Sequence, residues 1–135
     1  MSAWQSVLNQ NAELFEGVAP GASIAIVRGL PPRVHIGQVV DPAPMQVWQR
    51  EAEGMRVGEG QYRGLKTLTS DILLLPEEGA LEAALAHRHP MSELTRQLRA
   101  GRVLCMVMRA RDDLRARGWA DFFEALGLPF LGTCR

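Results

Sequence analysis

The chain has 135 residues, of which 47% are hydrophobic and 22% are charged, and its formal net charge at pH 7 is zero. This size and composition predict a single domain over residues 1–135 that buries its own core. A neutral chain is no general polyanion binder, so we do not expect nucleic acid as a partner. We also expect no signal peptide and no membrane partner, since no apolar run approaches the roughly 20 residues that span a bilayer.

The chain begins with a pattern typical of one helix followed by a hairpin. Trp4 and the apolar residues after it recur at helical spacing, which predicts a helix over 3–15. Two short β-branched segments, residues 22–28 and 34–40, flank a Pro-Pro sequence. Proline cannot donate to a strand ladder, so these prolines predict the turn of a β-hairpin.

The next segment predicts a second helix and then a loop. Met45 and Trp48 begin an apolar series at i, i+3, i+7 and i+10, which is helical spacing over residues 44–53. Four glycines and few apolar residues follow in residues 54–64, and this composition is typical of a flexible loop.

The second half of the chain alternates apolar strands with helices. The expected elements are strands over 65–75 and 102–109, helices over 79–87, over 91–101 and from 112 onward, and a short edge strand over 128–131. Both longer strands are apolar at successive positions, which is typical of strands buried on both faces. Gly118 is expected to interrupt the last helix.

The predicted order of elements is therefore α-β-β-α-β-α-α-β-α, which is an α+β fold in a single domain. A hairpin near the start makes the sheet mixed or antiparallel rather than doubly wound. We expect a small sheet with the helices packed on it.

Basic residues form the strongest local pattern. The window from 87 to 117 has eight arginines against three acidic residues. Guanidinium groups match the paired oxygens of phosphate and carboxylate, so this window predicts an anion- or partner-binding surface. Its candidate residues are Arg96, Arg99, Arg102, Arg109 and Arg111. The alternative is a solvated face, in which cations near a helix C-terminus stabilise the helix.

Two histidines, His87 and His89, are candidate titrating groups beside these arginines. We expect no metal, because a metal site usually needs a third protein ligand and none is evident nearby. No catalytic residue is predicted: the chain has no G-x-S-x-G sequence, and Glu77 and Glu78 suit the first turn of a helix. We therefore expect no cofactor, and the balance is against an enzyme.

The two cysteines do not resemble a disulfide framework. Cys105 lies in an apolar run and is interpreted as a small core residue, while Cys134 is one residue from the C-terminus on an expected mobile tail. This pattern predicts a reducing, cytoplasmic location.

The function expected from these features is a small protein-binding module, such as an accessory, chaperone-like or immunity-type protein that sequesters a partner. Met45 and Trp48 are the candidate partner-binding residues on the predicted helix, although such a stripe is usually core. A small sheet with open edges also suggests a homodimer. The alternative is a ligand-binding or catalytic domain that holds a phosphate or carboxylate molecule through the C-terminal arginines.

Overall fold

The structure, a computed structural model, describes residues 3–28 and 43–128. Its strands are β1 (Ser23–Val27), β2 (Ala43–Glu51), β3 (Gly54–Tyr62), β4 (Ile72–Pro76) and β5 (Val103–Val107). Its α-helices are α1 (Ala3–Gln10), α2 (Ala80–Ala86), α3 (Pro90–Arg99), α4 (Arg111–Ala116) and α5 (Trp119–Ala125). Two 3₁₀ helices cover Ala12–Phe15 and Leu65–Thr67.

The described strands form one sheet in the order β3-β2-β1-β4-β5. β1 pairs with β4 in parallel, and the other three pairs are antiparallel. Helices α2 and α3 follow β4, and α4 and α5 follow β5. The α+β class and the mixed sheet predicted from the sequence are therefore confirmed.

Several predicted elements are present within one to a few residues. The helix over 3–15 is α1 plus the first 3₁₀ turn, and the strand over 22–28 is β1. The later helices and the strand over 102–109 also occur, with Gly118 separating α4 from α5 as expected. Strand β4 is shorter than predicted, because residues 65–67 form a 3₁₀ turn instead. The strand predicted over 34–40 lies outside the described residues, and so do residues 129–131 of the strand predicted over 128–131.

The helix predicted over 44–53 and the loop predicted over 54–64 are both wrong. They form β2 and β3, a hairpin paired from Ala43 with Tyr62 to Glu51 with Gly54. Strand β2 has apolar residues on both faces, so its sequence lacks the period-2 alternation of a half-buried strand. The spacing of these residues therefore resembled that of a helix.

Strand β5 also differs from its prediction. It is an edge strand among the described elements rather than a strand buried on both faces. Only Val103 of its five residues is buried, and Leu104 is 51% exposed.

The core lies mainly on one face of the sheet, which we call the helical face and define by Ile24, Trp48 and Ile72. Trp4 of α1 packs on Trp48 with ring centroids 5.2 Å apart. A smaller apolar cluster covers the opposite face, defined by Ala25, Tyr62 and Leu73, and we call it the second face. Successive side chains of a strand point to opposite faces, so Trp48 and the odd-numbered residues of β2 pack in different clusters.

The free edge of β3 is bonded to the side chain of Gln5 in α1. The Gln5 Nε2 amide donates to the carbonyl of Met55 at 2.9 Å, and Gln5 Oε1 accepts from the Val57 N–H at 2.8 Å. One side chain thus satisfies two backbone groups that an edge strand otherwise offers to another chain.

The connection between α4 and α5 passes close to the N-terminal segment. Gly118 has φ of +88°, and a Cβ on it would lie 1.8 Å from the carbonyl oxygen of Gly17. Ala19 N–H also donates to the carbonyl of Arg117 at 2.9 Å. Glycine is needed at 118 because both the positive φ and the backbone contact exclude a side chain.

Candidate functional site

The C-terminal arginines predicted as one surface have separate partners. Arg96 Nε lies 3.2 Å from Glu93, and Arg102 Nε lies 3.9 Å from Glu77. Arg99 donates to the carbonyl of Gly127 at 2.6 Å. Arg111 is exposed at the start of α4. Arg96, Arg99 and Arg102 therefore make separate contacts, and the anion- or partner-binding surface stays a prediction.

His87 and His89 lie at the junction of α2 and α3. The backbone N–H of His89 donates to His87 Nδ1 at 3.0 Å, and His87 Nε2 is 4.0 Å from the buried carboxylate of Glu93. Their role as titrating groups of a binding site stays a prediction. Residues 3–28 and 43–128 contain no group of three His, Cys, Asp or Glu side chains that could hold a metal ion.

The prediction that Trp48 and Met45 form an exposed partner-binding stripe is wrong. Trp48 is fully buried on the helical face, and its indole Nε1 donates to Gln46 Oε1 at 2.7 Å. Met45 is half-buried on the second face. Positions three apart on a strand point to opposite faces, so the two side chains cannot form one surface.

Cys105 is partly buried against the main core cluster, and it is disulfide-bonded, so the expectation that the cysteines form no disulfide is wrong. The reducing, cytoplasmic location stays a prediction. Cys134 lies outside the described residues. In the described ranges, no helix is both long enough and apolar enough to cross a bilayer.

No sequence pattern pointed to Asp71, a buried carboxylate that accepts three side-chain hydrogen bonds. It lies just before β4, and only 1% of its side chain is exposed. Arg109 Nε, after β5, donates to Asp71 Oδ1. Arg117 Nε and Trp119 Nε1, from the two ends of the α4–α5 connection, donate to Oδ2, each at 2.9 Å. We call these four residues the Asp71 cluster.

The electrostatics of this cluster favour an ionised carboxylate. Burial alone raises the pKa of Asp71, but the hydrogen bonds from Trp119, Arg109 and Arg117 and the charge of Arg117 outweigh it. The pKa of Asp71 therefore lies below its usual value, and the carboxylate is charged at neutral pH.

A trough of about 320 Å³ lies on the second face, between strands β2 and β3 and the segment that leads to β4. Apolar side chains in its wall include Met45, Val47, Tyr62 and Leu68. Among the described residues its polar lining is Ser23, Gln49, Arg56, Glu59, Gln61, Arg63, Thr67, Thr69 and Ser70.

Glycine on β3 leaves room in this trough. Val47 pairs with Gly58 and Met45 pairs with Gly60, so both glycines share the second face with those side chains. A Cβ on Gly58 would meet no atom within 4 Å. The space over Gly58 is therefore open, and the residues interpreted as a loop instead form the floor of a trough.

Several polar groups of the trough bond one another or a neighbouring residue. Ser23 Oγ donates to Ser70 Oγ at 2.9 Å. Burial raises the pKa of the Tyr62 phenol, which therefore stays a neutral donor at pH 7. Arg63 Nη2 donates to Gln61 at 3.0 Å, and Arg56 Nε lies 3.1 Å from Glu51.

Comparison with known proteins gives little further information. No family model matches the chain, and no curated protein matches it. Among solved structures, it is similar to a conserved hypothetical protein of Thermus thermophilus, described as a possible sterol carrier protein. The sequence identity is 12% and the TM-score is 0.45, over 92% of this chain and 81% of that chain.

Proposed function

We propose that the protein is a ligand-binding domain whose trough holds a small, elongated organic molecule with an acidic group. The observation that carries this proposal is the open space of about 320 Å³ over Gly58. That volume falls at the lower end of the roughly 300–1,000 Å³ of small-molecule sites. The mixture of apolar side chains, hydroxyls and amides in the described lining favours binding of such a molecule.

The lining supports a ligand with an apolar body. Met45, Val47 and Leu68 are half-buried around the trough, so a bound hydrocarbon would remove more of their surface from water. Each square ångström of apolar surface so removed contributes roughly 25 cal/mol. The hydroxyls and amides of the lining orient such a ligand rather than supply most of its affinity.

Charge supports an acidic group on that ligand. The described lining residues include two cations, Arg56 and Arg63, and one carboxylate, Glu59. Arg56 lies on β3, and Arg63 directly follows its end, seven residues further along the chain, which is at most about 23 Å at roughly 3.3 Å per residue. A cation near each end suits an extended molecule with a carboxylate at one end or at both.

Substitution of Gly58 tests the proposal without removing any contact. Hexanoate, octanoate and straight-chain dicarboxylates are titrated into wild type, Gly58→Ala and Gly58→Val, with binding measured by calorimetry. We expect affinity to fall from glycine to alanine to valine as the side chain fills the trough. The valine variant should be at least as stable as wild type, since valine favours strands and glycine weakens them. Equal affinity in all three proteins would refute the proposal.

The arginines are tested with a matched pair of ligands. Octanoate and octanol share a chain but differ in charge, so Arg56→Gln and Arg63→Gln should weaken octanoate binding and leave octanol binding unchanged. Arg28→Gln is the control, because Arg28 pairs with Glu82 and does not line the trough. Similar losses for all three variants would point to general surface charge and would contradict a specific role for Arg56 and Arg63.

A second candidate function, the protein-binding module or homodimer expected from the sequence, is favoured by one observation. Leu104 is 51% exposed on β5, an edge strand among the described elements. We propose a second copy of the chain as the partner that covers it. Light scattering after gel filtration should then give a dimer, and Leu104→Asp should give a monomer. Ser92→Asp, on an exposed position of α3, is the control. A wild-type monomer would refute this candidate.

A further inference from the structure

The Asp71 cluster holds more positive charge than its carboxylate neutralises. Asp71 is the one carboxylate within 4.0 Å of Arg109 or Arg117 in the described part of the chain. Two guanidinium groups therefore share one negative charge, and the cluster has a net charge of +1. A buried ion pair needs only one cation, so the second is not explained by neutralising Asp71.

Both arginines have N–H donors that do not bond Asp71. Each uses its Nε to bond Asp71, and within the described residues the Nη nitrogens of neither group make a hydrogen bond. The side chain of Arg109 is 40% exposed and that of Arg117 is 32% exposed. Their remaining N–H groups are therefore accessible to a solute while the guanidinium groups stay attached to one buried anchor.

This attachment lowers the entropy that a ligand would otherwise have to remove. A free arginine side chain loses up to about 2 kcal/mol of rotamer freedom when it is ordered. Asp71 has already ordered both side chains, and the Trp119 indole fixes the carboxylate from a third direction. Such preorganisation raises affinity without adding contacts.

From this geometry we propose that Arg109 and Arg117 form a binding site for a phosphate- or carboxylate-type oxyanion. Planar guanidinium groups present paired N–H donors that match the oxygens of such a group. Asp71 is a positioning residue, because its carboxylate holds the two arginines and would not contact the anion. The site is separate from the trough, whose described lining includes neither arginine.

The indole N–H of Trp119 provides a local probe of this site. It bonds the same Asp71 oxygen as Arg117. All three tryptophans belong to one core cluster, but Trp4 and Trp48 pack on each other, with ring centroids 5.2 Å apart. Inorganic phosphate is titrated at constant ionic strength, with chloride as the balancing anion, and the three indole resonances are followed by NMR. We expect a saturable shift of the Trp119 signal and little change in the other two. Acetate, in a parallel titration, tests the carboxylate arm.

Variants of the arginines decide the assignment. Arg109→Gln should weaken phosphate binding at least about tenfold, which matches the loss of one charge-assisted hydrogen bond. Arg109→Lys keeps the charge but not the planar donors and should weaken it less. Arg111→Gln removes an exposed neighbouring charge and should leave binding unchanged. Unshifted Trp4 and Trp48 resonances in each variant establish that it is folded.

Three results would overturn the site: no saturable Trp119 shift with phosphate or acetate, an unchanged affinity in Arg109→Gln, or an equal loss in Arg111→Gln. The trough variant Gly58→Val should keep the full phosphate response. Loss of alkyl carboxylate binding in that variant alone therefore bears only on the proposed function, and loss of phosphate binding in Arg109→Gln alone bears only on this site.

Discussion

Replacing Asp71 by asparagine removes one charge from the centre of the described fold and almost no volume. The side chain keeps one carbonyl oxygen, which can replace either Oδ1, the acceptor for Arg109, or Oδ2, the acceptor for Arg117 and Trp119. The other contacts lose a charged acceptor, and both guanidinium groups lose their counter-charge. Because these donors come from the segments around α4 and α5, we expect the variant to loosen the packing of both helices.

The expected loss of stability can be worked out from the exposure of each partner. Breaking a fully buried ion pair costs about 3–5 kcal/mol. Arg109 and Arg117 are 40% and 32% exposed, so water replaces part of what they lose. The Trp119 hydrogen bond loses roughly 1 kcal/mol when its acceptor becomes neutral. We therefore expect a decrease of about 3 kcal/mol in the free energy of unfolding, a large share of the usual 5–15 kcal/mol.

Urea unfolding of wild type and Asp71→Asn, followed by tryptophan fluorescence and by circular dichroism, measures this decrease. With a slope of roughly 1–3 kcal/mol per molar urea, the midpoint should fall by about 1–3 M. Asp112→Asn is the control, since Asp112 is exposed in the first turn of α4. A decrease below about 1 kcal/mol at pH 7, or one equal to that of the control, would refute the reasoning.

The pH dependence of this difference has a definite sign. The pKa of Asp71 is lowered on folding, so its contribution to stability is complete above the unfolded value of about 3.9. That contribution is lost as pH falls through the lower folded value. The gap between wild type and Asp71→Asn should thus be constant from pH 7 to 5 and shrink below about pH 4. A gap that widens in acid would contradict the ionised carboxylate.

Three further predictions concern neighbouring parts of the fold. Gly118→Ala should lose about 3–5 kcal/mol in urea unfolding from its positive φ and backbone clash, whereas Gly101→Ala, with φ of +78° and open space, should lose only about 1–2 kcal/mol. Trp48→Ala should lose about 3–5 kcal/mol, and a loss below about 1 kcal/mol would mean that this residue is not core. The Trp119 indole resonance should titrate with a midpoint below about 3.9, the usual pKa of an Asp carboxyl, since it reports Asp71.

Sequence patterns predicted the elements whose burial is one-sided or complete. The stripe of α1 and the apolar runs of β1 and β4 are local, so periodicity alone located them. The hairpin of β2 and β3 was not predicted, because Met45 and Trp48 lie on opposite faces of β2 but are three residues apart, which is also helical spacing. Glycine is depleted in strands, so Gly58 and Gly60 favoured a loop. Because these two glycines indicated a loop, the sequence did not predict the trough that they form.

The Asp71 cluster could not be predicted, since its contacts join residues 38, 46 and 48 positions apart. Local propensity contains no information on such separations. The sequence did single out Arg109 within a basic window, but charge counting could not distinguish it from Arg111. Only the fold decides which arginine meets a buried carboxylate and which remains in solvent.

The oxyanion site and the stability of the fold depend on the same charges, which leads to a final prediction. In Asp71→Asn the two guanidinium groups have a net charge of +2, so an added oxyanion supplies the counter-charge that the variant lacks. A ligand that binds only the folded state stabilises it by about 2.7 kcal/mol at 100 times its dissociation constant, close to the loss expected from the substitution. Phosphate should therefore raise the urea midpoint of Asp71→Asn more than that of wild type at equal ionic strength, and chloride should not. No phosphate response in either protein would mean that the anion does not reach these arginines.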